Sequence, residues 1–253
     1  MLLMATARKI ASQSADSPGI RQSTEFSGFP TEGFKLLRDL KKNNDREWFR
    51  ERKSAYKQTV EAPMEALTAA VSQKCRHHGL TLFPKEKNPV MRVYRDIRFS
   101  ADKTPFKTHV AAELRRSFAG SQPMLYLHFA PDKSFLAAGI WQPDRTLLQA
   151  WRAAIADKPE EIKELAATLK RKKLALEEEH SLSSMPRGFG NFAESPVARF
   201  LKLTSFVVAR TIGQRDCSSP KLVDKVVSFA LDAKPLLEFG WRIEEAIPQT
   251  FRD

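Results

Sequence analysis

The spacing of apolar residues changes twice along the chain, and this limits the folds that the sequence can adopt. From Trp48 to Val71, apolar side chains recur every three to four residues, as on one face of a helix. From Pro89 onward, apolar and polar residues alternate, as in a half-buried strand. Helical spacing returns after Asp144. The pattern predicts an α+β fold, with an antiparallel or mixed central sheet and helices from both ends of the chain packed on it.

Individual elements can be placed from the same pattern. Strands are expected at about residues 89–99, 109–116, 124–130, 135–141 and 200–210. Turn-forming residues at 131–134 predict that the third and fourth of these strands form an antiparallel hairpin. Helices are expected to begin near Thr31, Asn44, Asp144, Pro159 and Pro220, with Asn44 and Glu47 forming a capping box and Pro63 kinking the second helix.

Length and composition predict a soluble protein with one main domain. The 253 residues are 42% apolar and 28% charged, which is typical of a folded globular chain. Residues 1–25 have little acid and no periodic pattern, so we expect a flexible tail followed by a single domain at 26–253. No apolar run is long enough to cross a bilayer. The only cysteines, Cys75 and Cys217, suggest no disulfide framework, and we expect a cytoplasmic location.

The chain is strongly basic. It contains 42 Lys and Arg against 30 Asp and Glu, for a formal net charge of +12. Such a charge favours anionic partners, and it points to a phosphate-bearing small molecule or nucleic acid. A basic surface that serves only solubility remains an equal alternative. The sequence identifies neither a cofactor nor an oligomeric state.

The densest polar stretch runs from Arg92 to Lys107. On a strand, Arg92, Tyr94, Asp96 and Arg98 would project from one face, and Asp96 would lie between two guanidiniums. Arginines held in this way suit bidentate binding of phosphate or carboxylate. The same residues also suit a purely structural ion-pair network.

A tight turn is expected to follow this strand. Asp102 can bond to its own backbone and Pro105 restrains the exit, which brings Lys103 and Lys107 close to the arginines. The turn lacks the glycine and lysine spacing of a P-loop, so P-loop nucleotide binding is not predicted. The candidate ligand-binding residues, called the basic cluster below, are Arg92, Arg95, Arg98, Lys103 and Lys107.

This stretch resembles domain-of-unknown-function family 2461. The family pattern is Arg-x-x-Arg-Asp-x-Arg-Phe, then, after a few variable positions, Asp or Asn followed by Lys, then two variable positions and Tyr. The chain matches it at Arg92, Arg95, Asp96, Arg98, Phe99, Asp102 and Lys103. The final tyrosine is replaced by Phe106, so any role of its hydroxyl would be lost or taken by Tyr94 or Tyr126. The resemblance extends from Phe26 to the last helix and implies no established activity.

Other candidate sites have weaker signals. His109, Glu113 and His128 could join Asp96 in a metal site or an acid/base pair if their strands are neighbours, but no spacing requires it, and no metal is predicted. Aromatic residues could stack on bases but are expected to be core residues, namely Trp48, Phe49, Tyr56, Trp141 and Trp151. The motifs of serine hydrolases, zinc proteases and dinucleotide-binding enzymes are absent from the sequence.

Three functional hypotheses therefore remain. The first is an anion-binding domain that uses the basic cluster, with Asp96 orienting the arginines. The second is an enzyme acting on an acidic small molecule, with Asp96 or Asp102 as general base in a concave pocket. The third is a structural or interaction module in which the cluster forms a buried salt-bridge network.

Overall fold

The computed structural model describes residues 26–117 and 123–247. It contains one five-stranded antiparallel sheet with strand order β1-β2-β3-β4-β5, so each strand pairs with its neighbour in sequence. The strands are β1 (Phe83–Pro84), β2 (Val110–Arg115), β3 (Met124–Phe129), β4 (Ser134–Ile140) and β5 (Phe206–Ile212). The α+β prediction and the β3–β4 hairpin prediction are confirmed.

Helices come from both ends of the chain, as expected. They are α1 (Thr31–Lys42), α2 (Arg46–Tyr56), α3 (Ala62–His77), α4 (Arg145–Asp157), α5 (Pro159–Arg171), α6 (Ala198–Leu201), α7 (Gln214–Cys217) and α8 (Leu222–Ala246). Among the helices of the described residues, none combines the length and apolar composition that a bilayer crossing needs. The predicted tail at residues 1–25 lies outside the described residues, and the domain assigned to 26–253 stays a prediction.

The helices α3 and α8 pack against each other and cover one face of the sheet. On β3, the residues that point to this face are fully buried, whereas the alternate residues are only half-buried. One contiguous apolar core joins this face to the helices, from Phe26 to Ile243. The opposite face carries Tyr126 and His128 at alternate positions of β3 and is called the open face below. The period of two in the sequence thus creates one apolar face and one polar face.

Two helix starts depart from the expected caps. The carboxylate of Asp45, not the amide of Asn44, caps α2 by accepting hydrogen bonds from the backbone N–H groups of Glu47 and Trp48 at 3.0 and 2.9 Å. The predicted capping box of Asn44 and Glu47 was therefore wrong, because Asp45 is the cap and the residue three positions after it is Trp48, whose side chain cannot accept from the cap N–H. At α1, Pro30 precedes the first turn and no side chain caps it.

The predicted disturbance at Pro63 is present as a wider helical turn. Residues Lys57–Glu61 form a π-helical segment between α2 and α3. Proline has no N–H to donate to the carbonyl four residues before it, which favours such a bulge. Gly33 of α1 packs against the carbonyl of Thr59 in this segment, at a distance that a β-carbon would not allow.

Two strand predictions were wrong in detail. Residues 200–205 are not part of β5, since α6 ends at Leu201 and the strand starts at Phe206. Residues 89–99 do not form a strand and make only two isolated bridges. The geometry of this second segment determines the candidate site.

Candidate functional site

The polar stretch forms an irregular hairpin against the edge of the sheet. Val90 bridges Ala112 and Tyr94 bridges Phe106, both antiparallel. Between these bridges, three residues on one side face five on the other, so the ladder is interrupted and no regular strand forms. The Lys107 N–H donates to the Val93 carbonyl at 2.7 Å, which keeps the two sides together. This feature, residues 90–112, is called the motif hairpin.

The tip of the motif hairpin is braced by two basic residues. The guanidinium of Arg95 donates hydrogen bonds to Asp102, Thr104 and, at 3.4 Å, Ser100. The ammonium of Lys103 donates to the Ile97 carbonyl at 3.0 Å. Two members of the basic cluster therefore hold the loop in shape.

Asp96 and Arg98 form a bidentate ion pair at the surface. Nε and Nη2 of Arg98 lie 3.0 and 2.7 Å from the two carboxylate oxygens, and the Arg98 side chain is 76% exposed. The hydrogen bonds from Arg98 and the nearby charge of Arg92 lower the pKa of Asp96. The expected position of Asp96 near two guanidiniums is present, but the pair is exposed and not buried.

Asp102 is also held ionised. Its pKa is lowered to about 2, first by the hydrogen bond from the Thr104 backbone and then by the bonds from Arg95 and the Thr104 side chain. A carboxylate with so low a pKa is a weak base at neutral pH.

A regular strand at 89–99 would point Phe99 away from the charged face of Arg98, but no such strand forms here. The side chain of Phe99 is 96% exposed at the tip of the motif hairpin. The alternation ends because the chain turns here, where the Ser100 N–H donates to the Ile97 carbonyl at 3.4 Å. Tyr94, before the turn, is 51% exposed and lies with its ring centroid 5.2 Å from that of Phe106.

Phe106 lies in the core at the base of the motif hairpin. Its ring is 2% exposed and stacks on Phe49 of α2 at 4.2 Å. Its backbone is held by Asn44, which precedes α2 and bonds to both the N–H and the carbonyl of Phe106. The sequence does not indicate that Asn44 binds the backbone of Phe106, because an asparagine at this position also suits a helix cap.

Arg92 and Lys107 are the members of the cluster whose side chains, among the described residues, have neither an acidic partner nor a hydrogen bond; Lys103 also has no acidic partner but bonds to the Ile97 carbonyl. Within residues 26–117 and 123–247, neither side chain forms an ion pair. The two lie close enough that the charge of Arg92, after partial burial, lowers the pKa of Lys107. A partly buried ammonium with an exposed like charge near it creates a local excess of positive potential.

Next to these cations, three rings form a stack across the open face of the sheet. His109 lies 4.1 Å from His128, and His128 lies 4.6 Å from Phe135, centroid to centroid. Nδ1 of His128 is 3.2 Å from the hydroxyl of Tyr126. Partial burial first, then neighbouring positive charge, lowers the pKa of both histidines to about 4. We call His109, His128 and Phe135 the histidine stack.

The expected neighbourhood of His109, Glu113 and His128 is therefore confirmed in part. Glu113 is cross-strand from Tyr126 and pairs with Arg115 at 2.9 Å, while Asp96 belongs to the motif hairpin. In the described part of the chain, no group of three His, Cys, Asp or Glu side chains is arranged to hold a metal ion. The alternation in the sequence places His109 and His128 on the same face of the sheet. The β2–β3 register is also needed to predict that the two rings meet.

The aromatic residues named as possible stacking platforms are mostly core residues, as expected. Phe49, Tyr56 and Trp151 are buried, and Trp48 packs partly against the core. Trp141 departs from this expectation, since its side chain is 44% exposed and meets His180 edge to face at 5.0 Å.

A cavity of about 690 Å³ lies away from the motif hairpin. It is lined by residues around Leu80, by α5 and by α8, including Arg116, Trp241 and Arg242. No residue of the basic cluster lines this cavity, and none lines a second one of about 350 Å³ between α4 and α8.

The model of the family described as "Conserved hypothetical protein (DUF2461)" matches residues 32–239. The protein belongs to the DUF2461 family. The match includes the motif hairpin, Asn44 and the histidine stack, so the features described above lie inside the DUF2461 region. In the corresponding comparisons, no curated protein and no solved structure matches the chain.

Proposed function

We propose that this DUF2461 protein binds a phosphate-bearing or other anionic ligand at the base of the motif hairpin. One observation carries the proposal: Lys107 pairs through its backbone with Val93, the residue after Arg92, and among the described residues neither cation forms an ion pair. Two neighbouring cations that lack counter-ions are stabilised when an anion binds to both. The net charge of +12 would add long-range attraction for such a ligand.

The other members of the basic cluster contribute in different ways. Arg95 and Lys103 keep the hairpin tip in shape. Arg98 uses two of its five N–H donors on Asp96, which leaves the others free for a ligand oxygen. Asp96 would thus orient the arginine fork, and the ligand would be held by Arg92, Lys107 and Arg98.

The two alternatives have less support from the geometry. Asp96 and Asp102 both have lowered pKa values, which weakens either one as a general base. A purely structural network would need buried pairs, but the Asp96–Arg98 pair is exposed. The ligand class stays open between phosphorylated small molecules and nucleic acid. The buried free thiols of Cys75 and Cys217 are consistent with a cytoplasmic location, which we also propose.

Binding can be tested by calorimetry with pyrophosphate and with a short single-stranded DNA at low salt. The double variant Arg92→Gln/Lys107→Met removes both charges and keeps most of each stem. Losing hydrogen bonds to charged groups costs about 1.5–3 kcal/mol each, so affinity should fall at least roughly tenfold. The matched control is Arg38→Gln/Lys35→Met, which removes the same charge from the exposed side of α1.

The outcomes separate the hypotheses. Loss in the hairpin variant and retention in the control would confirm the site. Equal affinities in both variants, or no binding of either probe to the unmodified protein, would overturn the proposal. If the DNA binds here, its affinity should also fall steeply as salt rises, because counterions are released.

A further inference from the structure

We infer that the anion site extends from the motif hairpin onto the open face of the sheet, where His109 and His128 bind a dianionic phosphoryl or sulfuryl group together with Lys107. This inference rests on the proposed function and adds two ligand-binding residues and the charge of the ligand.

The stacking geometry leaves the ring edges of both histidines available. His128 is sandwiched between His109 and Phe135, with interplanar angles of 30° and 18°. Both faces of the His128 ring are therefore covered by neighbouring rings, and one face of His109 is covered by His128. The ring edges that carry the nitrogens remain for polar contacts. Nδ1 of His128 is used by Tyr126, whereas Nε2 of His128 and both nitrogens of His109 have no hydrogen-bond partner among the described residues. Imidazole edges in this position can donate hydrogen bonds to ligand oxygens.

The surrounding charges are almost all positive. Lys107 precedes His109 by two residues, and Arg92 lies beside Lys107. Lys133 in the β3–β4 turn is close enough to affect His128. Two carboxylates on neighbouring segments have other partners: Glu113 of β2 pairs with Arg115, and Asp132, next to Lys133 in the turn, pairs with Lys41 at 2.6 Å. Tyr126, whose hydroxyl contacts His128, adds no charge at pH 7, since a phenol ordinarily titrates near pH 10 and burial and then Glu113 raise its pKa further.

This balance of charge favours a dianion over a monoanion. Arg92, Lys107 and Lys133 together supply more positive charge than one carboxylate can neutralise. A phosphate monoester or sulfate carries two charges and offers several oxygens, so it can accept from the lysine and from both imidazole edges at once.

Binding of a dianion should draw protons onto the histidines. In the free protein, burial and the neighbouring cations keep both imidazoles neutral at pH 7, with pKa values of about 4. A dianion at their ring edges reverses the sign of the local potential and raises both pKa values. Affinity should therefore increase as pH falls, and each binding event should take up protons.

Sulfate is a suitable probe because it does not titrate between about pH 8 and about pH 5, so a pH dependence reports the protein. We expect the sulfate affinity of the full chain to rise at least about tenfold between about pH 8 and about pH 5. The upper limit is a factor of ten per pH unit for each proton that is taken up on binding. Calorimetry in buffers of different ionisation enthalpy should detect proton uptake. His128→Phe and His109→Phe keep an aromatic ring in the stack and should remove most of the rise, while His77→Gln, on the exposed end of α3, should not.

The results also separate this inference from the proposed function. If Arg92→Gln/Lys107→Met abolishes sulfate binding but the affinity is independent of pH, the anion site stands and the role of the histidines is refuted. The same conclusion follows if both phenylalanine variants keep the full pH dependence. If sulfate binds equally well without Arg92 and Lys107, the proposed function itself fails.

Discussion

The side-chain amide of Asn44 pairs with both backbone polar groups of Phe106. Nδ2 of Asn44 donates to the Phe106 carbonyl at 2.9 Å, and the Phe106 N–H donates to Oδ1 at 3.0 Å. The donor and acceptor roles of the backbone fix which way the amide points. The connection between α1 and α2 is thereby fastened to the base of the motif hairpin, 62 residues further along the chain.

Asn44→Ala should destabilise the protein by about 2 kcal/mol, because it leaves two partly buried backbone groups without partners. Urea unfolding measures this loss as a lower midpoint with an unchanged slope. The control is Asn43→Ala, where the side chain only donates to the exposed Asp39 carbonyl, and the loss should stay below about 1 kcal/mol. Equal losses in the two variants would mean that the pairing with Phe106 contributes little.

Arg95→Ala and Arg98→Ala should differ, although both remove an arginine from the same motif. The Arg95 side chain is 27% exposed and bonds to three side chains of the hairpin tip, so its removal should increase amide hydrogen exchange at residues 96–104. The Arg98 pair is exposed and screened by solvent, so its removal should leave stability and exchange at the tip almost unchanged. Faster exchange at the tip in Arg98→Ala than in Arg95→Ala would contradict these assigned roles.

Local patterns predicted most elements of the fold but not the shape of the site. The alternation at 109–116 and 124–130 identified β2 and β3 to within a residue or two, since one face is buried and one is open. The same alternation at 89–99 predicted a strand where the ladder is interrupted. Periodicity reports which side chains are buried, and Val93 is buried in an irregular hairpin as it would be in a strand.

Side-chain partners at long range were beyond the sequence. Asn44 suited a helix cap and Asp96 suited two guanidiniums, and only the folded arrangement decides between such local and distant partners. The β2–β3 register is likewise what places His109 beside His128. The residues of the basic cluster could be named from sequence, but their division into bracing and unpaired groups could not.

Gly33→Ala should destabilise the protein by roughly 1–3 kcal/mol through overpacking. A β-carbon at this position would lie 2.3 Å from the Thr59 carbonyl oxygen, so α1 would have to move away from the π-helical segment. Thermal unfolding should show a melting temperature several degrees lower. Gly190→Ala is the control, since its β-carbon would meet nothing within 4 Å, and it should leave the melting temperature almost unchanged.

Acidification should destabilise the protein in two separate pH ranges. The folded pKa of His109 and of His128 is about 4, below the ordinary 6.5, so the unfolded chain binds more protons between these values. The free energy of unfolding should then fall as pH drops from about 6.5 to about 4. Above about pH 6.5 these histidines are neutral in both states, so they should cause no further change in stability. Asp102, with a folded pKa of about 2, loses its contribution only at lower pH, as it is protonated.

Urea unfolding of the unmodified chain and of His128→Phe at a series of pH values checks the upper range. The phenylalanine cannot be protonated and keeps a ring between His109 and Phe135, so the fall in stability from about pH 6.5 to about pH 4 should be clearly smaller in the variant. His77→Gln should follow the unmodified chain, since His77 lies exposed at the end of α3. If the variant and the unmodified chain lose stability in parallel over this range, His128 is not held neutral by its surroundings. Saturating sulfate adds a second comparison, because a dianion that favours protonated histidines should stabilise the unmodified chain more at the acidic end than at pH 8.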